Sequence, residues 1–190
     1  MRVVGGRCKG VRLASFRGRS IRPTSDKVRE AVFNILANML DLGSVGKVLD
    51  LFAGTGAMGI EALSRGAAGA VFVDSDQRAI GIIRKNLEAS GLAASARVLK
   101  RDFKSAVGCL SASGETFGLV FIDPPYDSSL APVALEGLLD SGVLAHGGLV
   151  VVETSRMSPL GTAIGYEVLD ERRYGDTLVY LLTQAAPRGA

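Results

Sequence analysis

Two short segments of this chain carry side chains whose types and spacing suit chemistry. Asp123-Pro124-Pro125-Tyr126 follows the apolar run Phe117 to Ile122, and Asp50-Leu-Phe-Ala-Gly-Thr-Gly56 follows the β-like pair Val48-Leu49. An exocyclic amine on a nucleobase is a poor nucleophile, because its lone pair is delocalised into the ring. The Asp123 carboxylate and the Pro124 carbonyl can draw the amine N–H bonds into a geometry that frees the lone pair. Pro124 and Pro125 stiffen the loop and add no competing N–H. Tyr126 can stack on the base, worth roughly 1 to 3 kcal/mol by comparison with other base–aromatic contacts. Such a set suits an in-line displacement, where alignment is worth roughly 7 to 11 kcal/mol. A Pro-Pro pair can also do no more than end a strand. Its pairing with a glycine loop in the same chain favours methyl transfer to an amine.

The glycine loop narrows the donor. Gly54-Thr55-Gly56-Ala57-Met58-Gly59 fits G-x-G-x-x-G, and Asp74 ends the next β-like stretch. Glycines let backbone approach a ligand, and an acidic residue there accepts both ribose hydroxyl protons. NAD and S-adenosylmethionine share these needs. Asp50 tips the balance, since an anion in the loop repels a diphosphate and attracts the ammonium of a methionine moiety. Arg101-Asp102-Phe103 follows the third strand; Asp102 can accept from an adenine amino group or cap the next helix, and Phe103 lies near the ring. A dehydrogenase would also need a further region for its substrate. The expected cofactor site is therefore Asp50, Phe52, Ala53, Gly54, Thr55, Gly56, Asp74, Ser75, Asp102 and Phe103, with S-adenosyl-L-methionine as ligand. Met58 and Glu61 read as packing and surface residues of the helix.

The elements that must position these loops are legible as a pattern. Strands over 47–52, 70–74, 96–99, 117–123 and 147–153 alternate with helices over 57–65, 76–90, 103–111 and 130–140, which implies a parallel sheet wrapped by helices. Both loops then emerge at the carboxyl edge, where open α/β sheets bind ligands. Ahead of the alternation, Thr24 or Ser25 can cap a helix whose apolar face is Val28, Ala31, Val32, Ile35, Leu36, Met39 and Leu40. Behind it, Tyr166 to Asp170 and Thr177 to Leu182 flank Arg172 to Asp176 with no room for a helix, so an antiparallel hairpin should close the sheet edge.

Charge singles out the N-terminal segment. The 190 residues carry a formal net charge of +3, yet residues 1–30 hold nine basic side chains against Asp26 and Glu30, while the remainder is net acidic. A basic block of this kind marks a polyanion-binding surface, or else a solvated tail. Val3, Val4, Val11, Leu13 and Ile21 interleaved with Gly5, Gly6, Gly10 and Gly18 favour a short ordered hairpin. We expect two parts, a basic arm over 1–23 that docks RNA and an α/β domain over 24–190. No stretch reaches the roughly 20 apolar residues that span a bilayer, and the opening residues lack a signal-peptide core, so a cytoplasmic protein is expected. Cys8, Cys109 and His146 lack metal-like spacing and read as structural.

The motifs together resemble a known family. Asp/Asn-Pro-Pro-Tyr with Asp-x-Phe-x-Gly-x-Gly is the signature of class I amine methyltransferases that use S-adenosylmethionine, and the tetrad alone does not choose among DNA, RNA and protein glutamine. Arg2-Val-Val-Gly-Gly-Arg-Cys-Lys-Gly10 and Arg22-Pro-Thr-Ser-Asp-Lys-Val-Arg-Glu-Ala-Val-Phe-Asn-Ile-Leu36 are more specific. They look like the RsmD family of 16S ribosomal RNA guanine-N2 methyltransferases, and the similarity continues through Glu61 to Gly66, Phe72 to Asp74 and Tyr174 to Thr177. The resemblance implies a Rossmann-like, seven-stranded methyltransferase fold and a guanine in 16S rRNA, within a small-subunit ribonucleoprotein particle, as acceptor. It assigns Gly54 and Gly56 to the cofactor loop, Asp74 to the ribose, and Asp123 with Tyr126 to the base. The family often has Glu where this chain has Asp74. Arg22, Thr24, Lys27 and Arg29 match the family motif and, with Arg7 and Lys9, would contact RNA backbone. A monomer is the default. The rivals are a DNA adenine or cytosine amine methyltransferase, a small NAD-binding oxidoreductase and a catalytically silent RNA-binding assembly factor.

Overall fold

In the computed structural model, seven strands form one sheet in the order β3-β2-β1-β4-β5-β7-β6. The structure describes residues 1–16, 26–125 and 129–186. The strands are β1 Lys47–Leu51, β2 Gly69–Asp74, β3 Ala96–Lys100, β4 Phe117–Ile122, β5 Leu144–Ser155, β6 Tyr166–Tyr174 and β7 Thr177–Gln184. The first five are mutually parallel, whereas β7 runs antiparallel to both β5 and β6. This is the mostly parallel sheet with a C-terminal antiparallel hairpin that the alternation implies. The strand at 147–153 starts earlier than expected, at Leu144, so His146 lies within β5.

Five helices cover the sheet: α1 Asp26–Met39, α2 Ala57–Ser64, α3 Gln77–Ala89, α4 Phe103–Ala112 and α5 Leu130–Ser141. Alternation along the strands sends side chains to opposite faces. Leu119, Phe121, Leu149 and Val151 pack with α1, α2 and α3 on one face, while Val120, Ile122, Val150 and Val152 pack with α4 and α5 on the other.

The buried face of α1 differs from the sequence expectation. It consists of Val28, Arg29, Val32, Phe33 and Leu36, with Ala31 and Ile35 partly covered and Met39 42% exposed. The helix is turned toward Phe33, whose ring lies 5.7 Å from that of Phe121 and under the Arg65 guanidinium at 5.0 Å. Thr24 and Ser25, the expected cap, lie outside the described residues.

Residues 1–13 form a hairpin, and 17–23 of the expected arm lie outside the described residues. Arg2 and Arg12 make an antiparallel bridge, Val3 N–H donates to the Val11 carbonyl at 2.9 Å, and Leu13 N–H donates to that of Met1 at 3.1 Å. Val3 and Leu13 join the core on the α1–α3 face, so the hairpin is packed onto the sheet domain.

Candidate active site

The sheet order reverses between β1 and β4, and a crevice forms at such a switch point, outside the carboxyl ends of the strands. The loop after β1 enters it through an unusual backbone. Phe52 has φ 59°, a left-handed conformation that a side chain adopts only when its surroundings hold it there. Gly54 and Gly56 follow at φ 56° and 77°. A Cβ added at Gly54 would meet only the Phe52 carbonyl, at 3.9 Å, so the space over the loop is open to a ligand. Gly59 serves another purpose, since a Cβ there would collide with the Phe72 ring; its absence lets α2 lie close on the sheet.

Three side chains tie this loop down. Asp74, at the end of β2, accepts from Gly54 N–H at 2.8 Å with one oxygen and from Asp76 N–H at 2.8 Å with the other. Each carboxylate oxygen keeps a further lone pair for an outside donor. Asn86, buried in α3, donates to the Thr55 carbonyl at 2.9 Å and exchanges two hydrogen bonds with the backbone of Ala14 in the N-terminal segment. Asp50 accepts from Gly59 N–H at 2.9 Å.

Asp50 differs from the open anion the sequence suggested. It is buried, and desolvation pushes its carboxyl up to about 8, against the Gly59 hydrogen bond and with the Asp74 charge adding to the rise.

The third strand supplies the far wall. Asp102 caps α4, accepting from Ser105 N–H at 3.0 Å and from the Ser105 hydroxyl at 2.6 Å, bonds that hold its carboxyl below the usual range. Phe103 is buried against Phe52, with ring centroids 5.2 Å apart. Ser75 is exposed between Asp74 and the α3 cap, and Ala53 is buried, its N–H donating to the Val73 carbonyl at 2.9 Å. The structure thus brings Asp50, Phe52, Ala53, Gly54, Thr55, Gly56, Asp74, Asp102 and Phe103 to one sheet edge. Asp123 and Pro124 emerge from β4 beside β1 at the same edge, with Asp123 half-buried, Pro124 buried and Pro125 exposed. Tyr126 lies outside the described residues.

Arg29 requires a correction as an RNA-binding residue. Its side chain is fully buried, donates to Asp26 at 2.9 Å and to the Arg2 carbonyl, and lies 3.6 Å from Glu61. No phosphate can reach it there; it braces α1 against the hairpin and α2. Glu61 is likewise no surface residue, for it is fully buried, accepts from Val4 N–H at 2.9 Å and pairs with Arg65 at 2.8 Å. Arg7, Lys9, Arg12 and Lys27 are exposed, and Arg22 lies outside the described residues. Asn86 escapes the sequence reading, although it is a polar residue set at an apolar position of its helix.

Residues 1–183 match the family described as Conserved hypothetical protein 95. The chain belongs to this family, the RsmD family. It is 35% identical to "Ribosomal RNA small subunit methyltransferase D" of Escherichia coli K12 over 189 residues, covering 100% of this chain and 92% of that one. A solved hypothetical protein of Thermus thermophilus matches with TM-score 0.81 and 33% identity, over 95% of this chain and 98% of the other. At 19% identity the fold is shared with a protein described as "a putative methyltransferase complexed with SAH", at TM-score 0.68 over 86% of this chain and 50% of that one. The fold is that of class I methyltransferases.

Proposed function

We propose that this RsmD-family protein transfers a methyl group from S-adenosylmethionine to the exocyclic N2 amine of a guanine in small-subunit ribosomal RNA. The observation that carries this reading is the convergence of the Gly54-Thr55-Gly56 loop, anchored by Asp74, with Asp123-Pro124 on neighbouring parallel strands. Family membership supports the methyl transfer and ribosomal RNA as acceptor; guanine N2 is the finer step.

The residues present fit the donor. The open space over Gly54 lets a ligand approach the backbone, the free lone pairs of Asp74 suit ribose hydroxyls, and the Phe52–Phe103 pair offers an aromatic edge to adenine. Asp50 sits at the loop base, where an ammonium would draw off its proton. When bound, the sulfonium supplies an electrophilic methyl carbon. The protein's part is then to orient: Asp123 and the Pro124 carbonyl accept from the amine, so its lone pair points along the line of displacement. Asp123, Pro124, Pro125 and Tyr126 form the acceptor side in this reading, with Tyr126 stacking on the base. The target guanine must be splayed out of its helix, which an RNA loop permits at low cost. The exposed cations of the hairpin, Arg7, Lys9 and Arg12, with Lys27 at the start of α1, would contact the RNA backbone. A monomer acting in the cytoplasm on a ribonucleoprotein particle completes the reading. Among the described residues no helix is long and apolar enough to cross a membrane.

The test is transfer of labelled methyl from S-adenosylmethionine into undermethylated small ribosomal subunits, free 16S rRNA and duplex DNA, followed by identification of the modified base. N2-methylguanine in rRNA is expected. Label in DNA, or on another base, overturns the acceptor.

A further inference from the structure

One carboxylate at the sheet edge has no part in the reading above. Glu153 ends the apolar run Leu149-Val-Val-Val-Glu153 of β5 and is only 7% exposed. Strands β4 and β5 are parallel, with Phe121 opposite Val151 and Ile122 opposite Val152. The next positions on the two strands are Asp123 and Glu153, on neighbouring backbones about 4.8 Å apart. Strand alternation sends Glu153 to the same face as Val151, toward α1 and α2. Asp123 and Glu153 both border one narrow cleft, walled by Val32, Met58, Phe121 and Val179. Its enclosed space, about 10 Å³, matches one water.

We infer that Glu153 selects guanine by accepting its ring N1–H while Asp123 takes the neighbouring N2 amine. This rests on the proposed base-amine chemistry and adds the residue that sets base identity. Guanine presents N1–H and N2–H₂ side by side, two donors suited to two adjacent carboxylates. Adenine and cytosine each present one amine beside a ring nitrogen that is an acceptor. That lone pair would face the Glu153 carboxylate in a cleft with apolar walls, where an unmatched polar contact costs most. Discrimination by a site built to bond one group typically reaches roughly 10⁴-fold, well beyond what apolar shape supplies.

The test uses a base that keeps the acceptor amine and inverts the ring nitrogen. In 2,6-diaminopurine the 2-amine remains and N1 is an acceptor. Small-subunit particles are reconstituted with guanine or 2,6-diaminopurine at the methylated position, and kcat/KM is measured for the full-length enzyme and for Glu153→Gln, whose amide can donate to N1. The wild type should prefer guanine by at least 100-fold. Glu153→Gln should lose at least 10-fold on guanine and gain on 2,6-diaminopurine, with unchanged affinity for S-adenosylhomocysteine. Equal use of the two bases by the wild type overturns the inference, whether or not the variant folds. So does a Glu153→Gln enzyme that binds S-adenosylhomocysteine normally and keeps the wild-type preference. Failure to methylate guanine particles at all would instead fall on the proposed function.

Discussion

The carboxylate of Asp74 and the backbone N–H of Gly54 are joined by a 2.8 Å hydrogen bond that fastens the end of β2 to the loop leaving β1. The side chain that would hold the ribose thus also shapes the loop under the methionine end of the cofactor. Asp74→Ala should therefore act twice, losing the ribose acceptor and releasing the Gly54 and Asp76 amides. With charged hydrogen bonds worth about 1.5 to 3 kcal/mol each, S-adenosylhomocysteine affinity should fall at least 10-fold by titration calorimetry. Unchanged affinity would remove Asp74 from the cofactor site.

Asp50 should leave a pH signature on stability. Its carboxyl titrates at the ordinary value of 3.8 when unfolded and at about 8 when folded, so between these limits the folded state binds the extra proton. Stability from this group is complete below about pH 4 and is lost as pH rises through 8, by at most about 1.4 kcal/mol per pH unit. Asp50→Asn, which keeps an acceptor for Gly59, should be relatively more stable than wild type at pH 8 than at pH 5. Parallel urea midpoints at both pH values would refute the buried proton.

Cofactor binding should expel that proton. An ammonium beside Asp50 favours the carboxylate, so calorimetry at pH 7 in buffers of different ionisation enthalpy should show proton release by the wild type and less by Asp50→Asn. A binding enthalpy independent of buffer would place the ammonium elsewhere.

Asp123→Ala should reduce methyl transfer by at least 100-fold, the scale expected when a preorganised acceptor is removed from a transition state. S-adenosylhomocysteine affinity should stay within about 2-fold, since Asp123 lies on the acceptor side. Turnover near the wild-type rate would dismiss its role.

The hairpin calls for charge removal and not for deletion, because Val3 and Leu13 belong to the core and Val4 is bonded to Glu61. Replacing exposed Arg7, Lys9 and Arg12 by Gln should weaken RNA binding and reduce the slope of log K against log salt by about 2, at roughly 0.7 per phosphate contact. An unaltered slope would leave the hairpin a purely structural role. By contrast, Glu61→Ala should cost about 1 to 3 kcal/mol in urea unfolding, because it leaves the Val4 N–H without its acceptor and buried Arg29 with Asp26 as its remaining carboxylate.

The local pattern of residues determined much of this protein. Alternating strand and helix periodicity made the parallel sheet and its antiparallel edge legible, and the spacing of Asp50, Gly54, Gly56 and Asp74 placed a ligand loop on adjacent strand ends. Those features depend on neighbours within one element or one crossover, so they are written in short windows of sequence. Tertiary structure decided what lies between elements. It turned α1 so that Arg29 is buried, made Glu61 a hub for the hairpin, raised the Asp50 carboxyl by desolvation and set Glu153 beside Asp123. Burial of a charged side chain depends on what packs over it, and pairing across strands depends on register, and both involve residues far apart in the chain. Short-range pattern carries neither quantity.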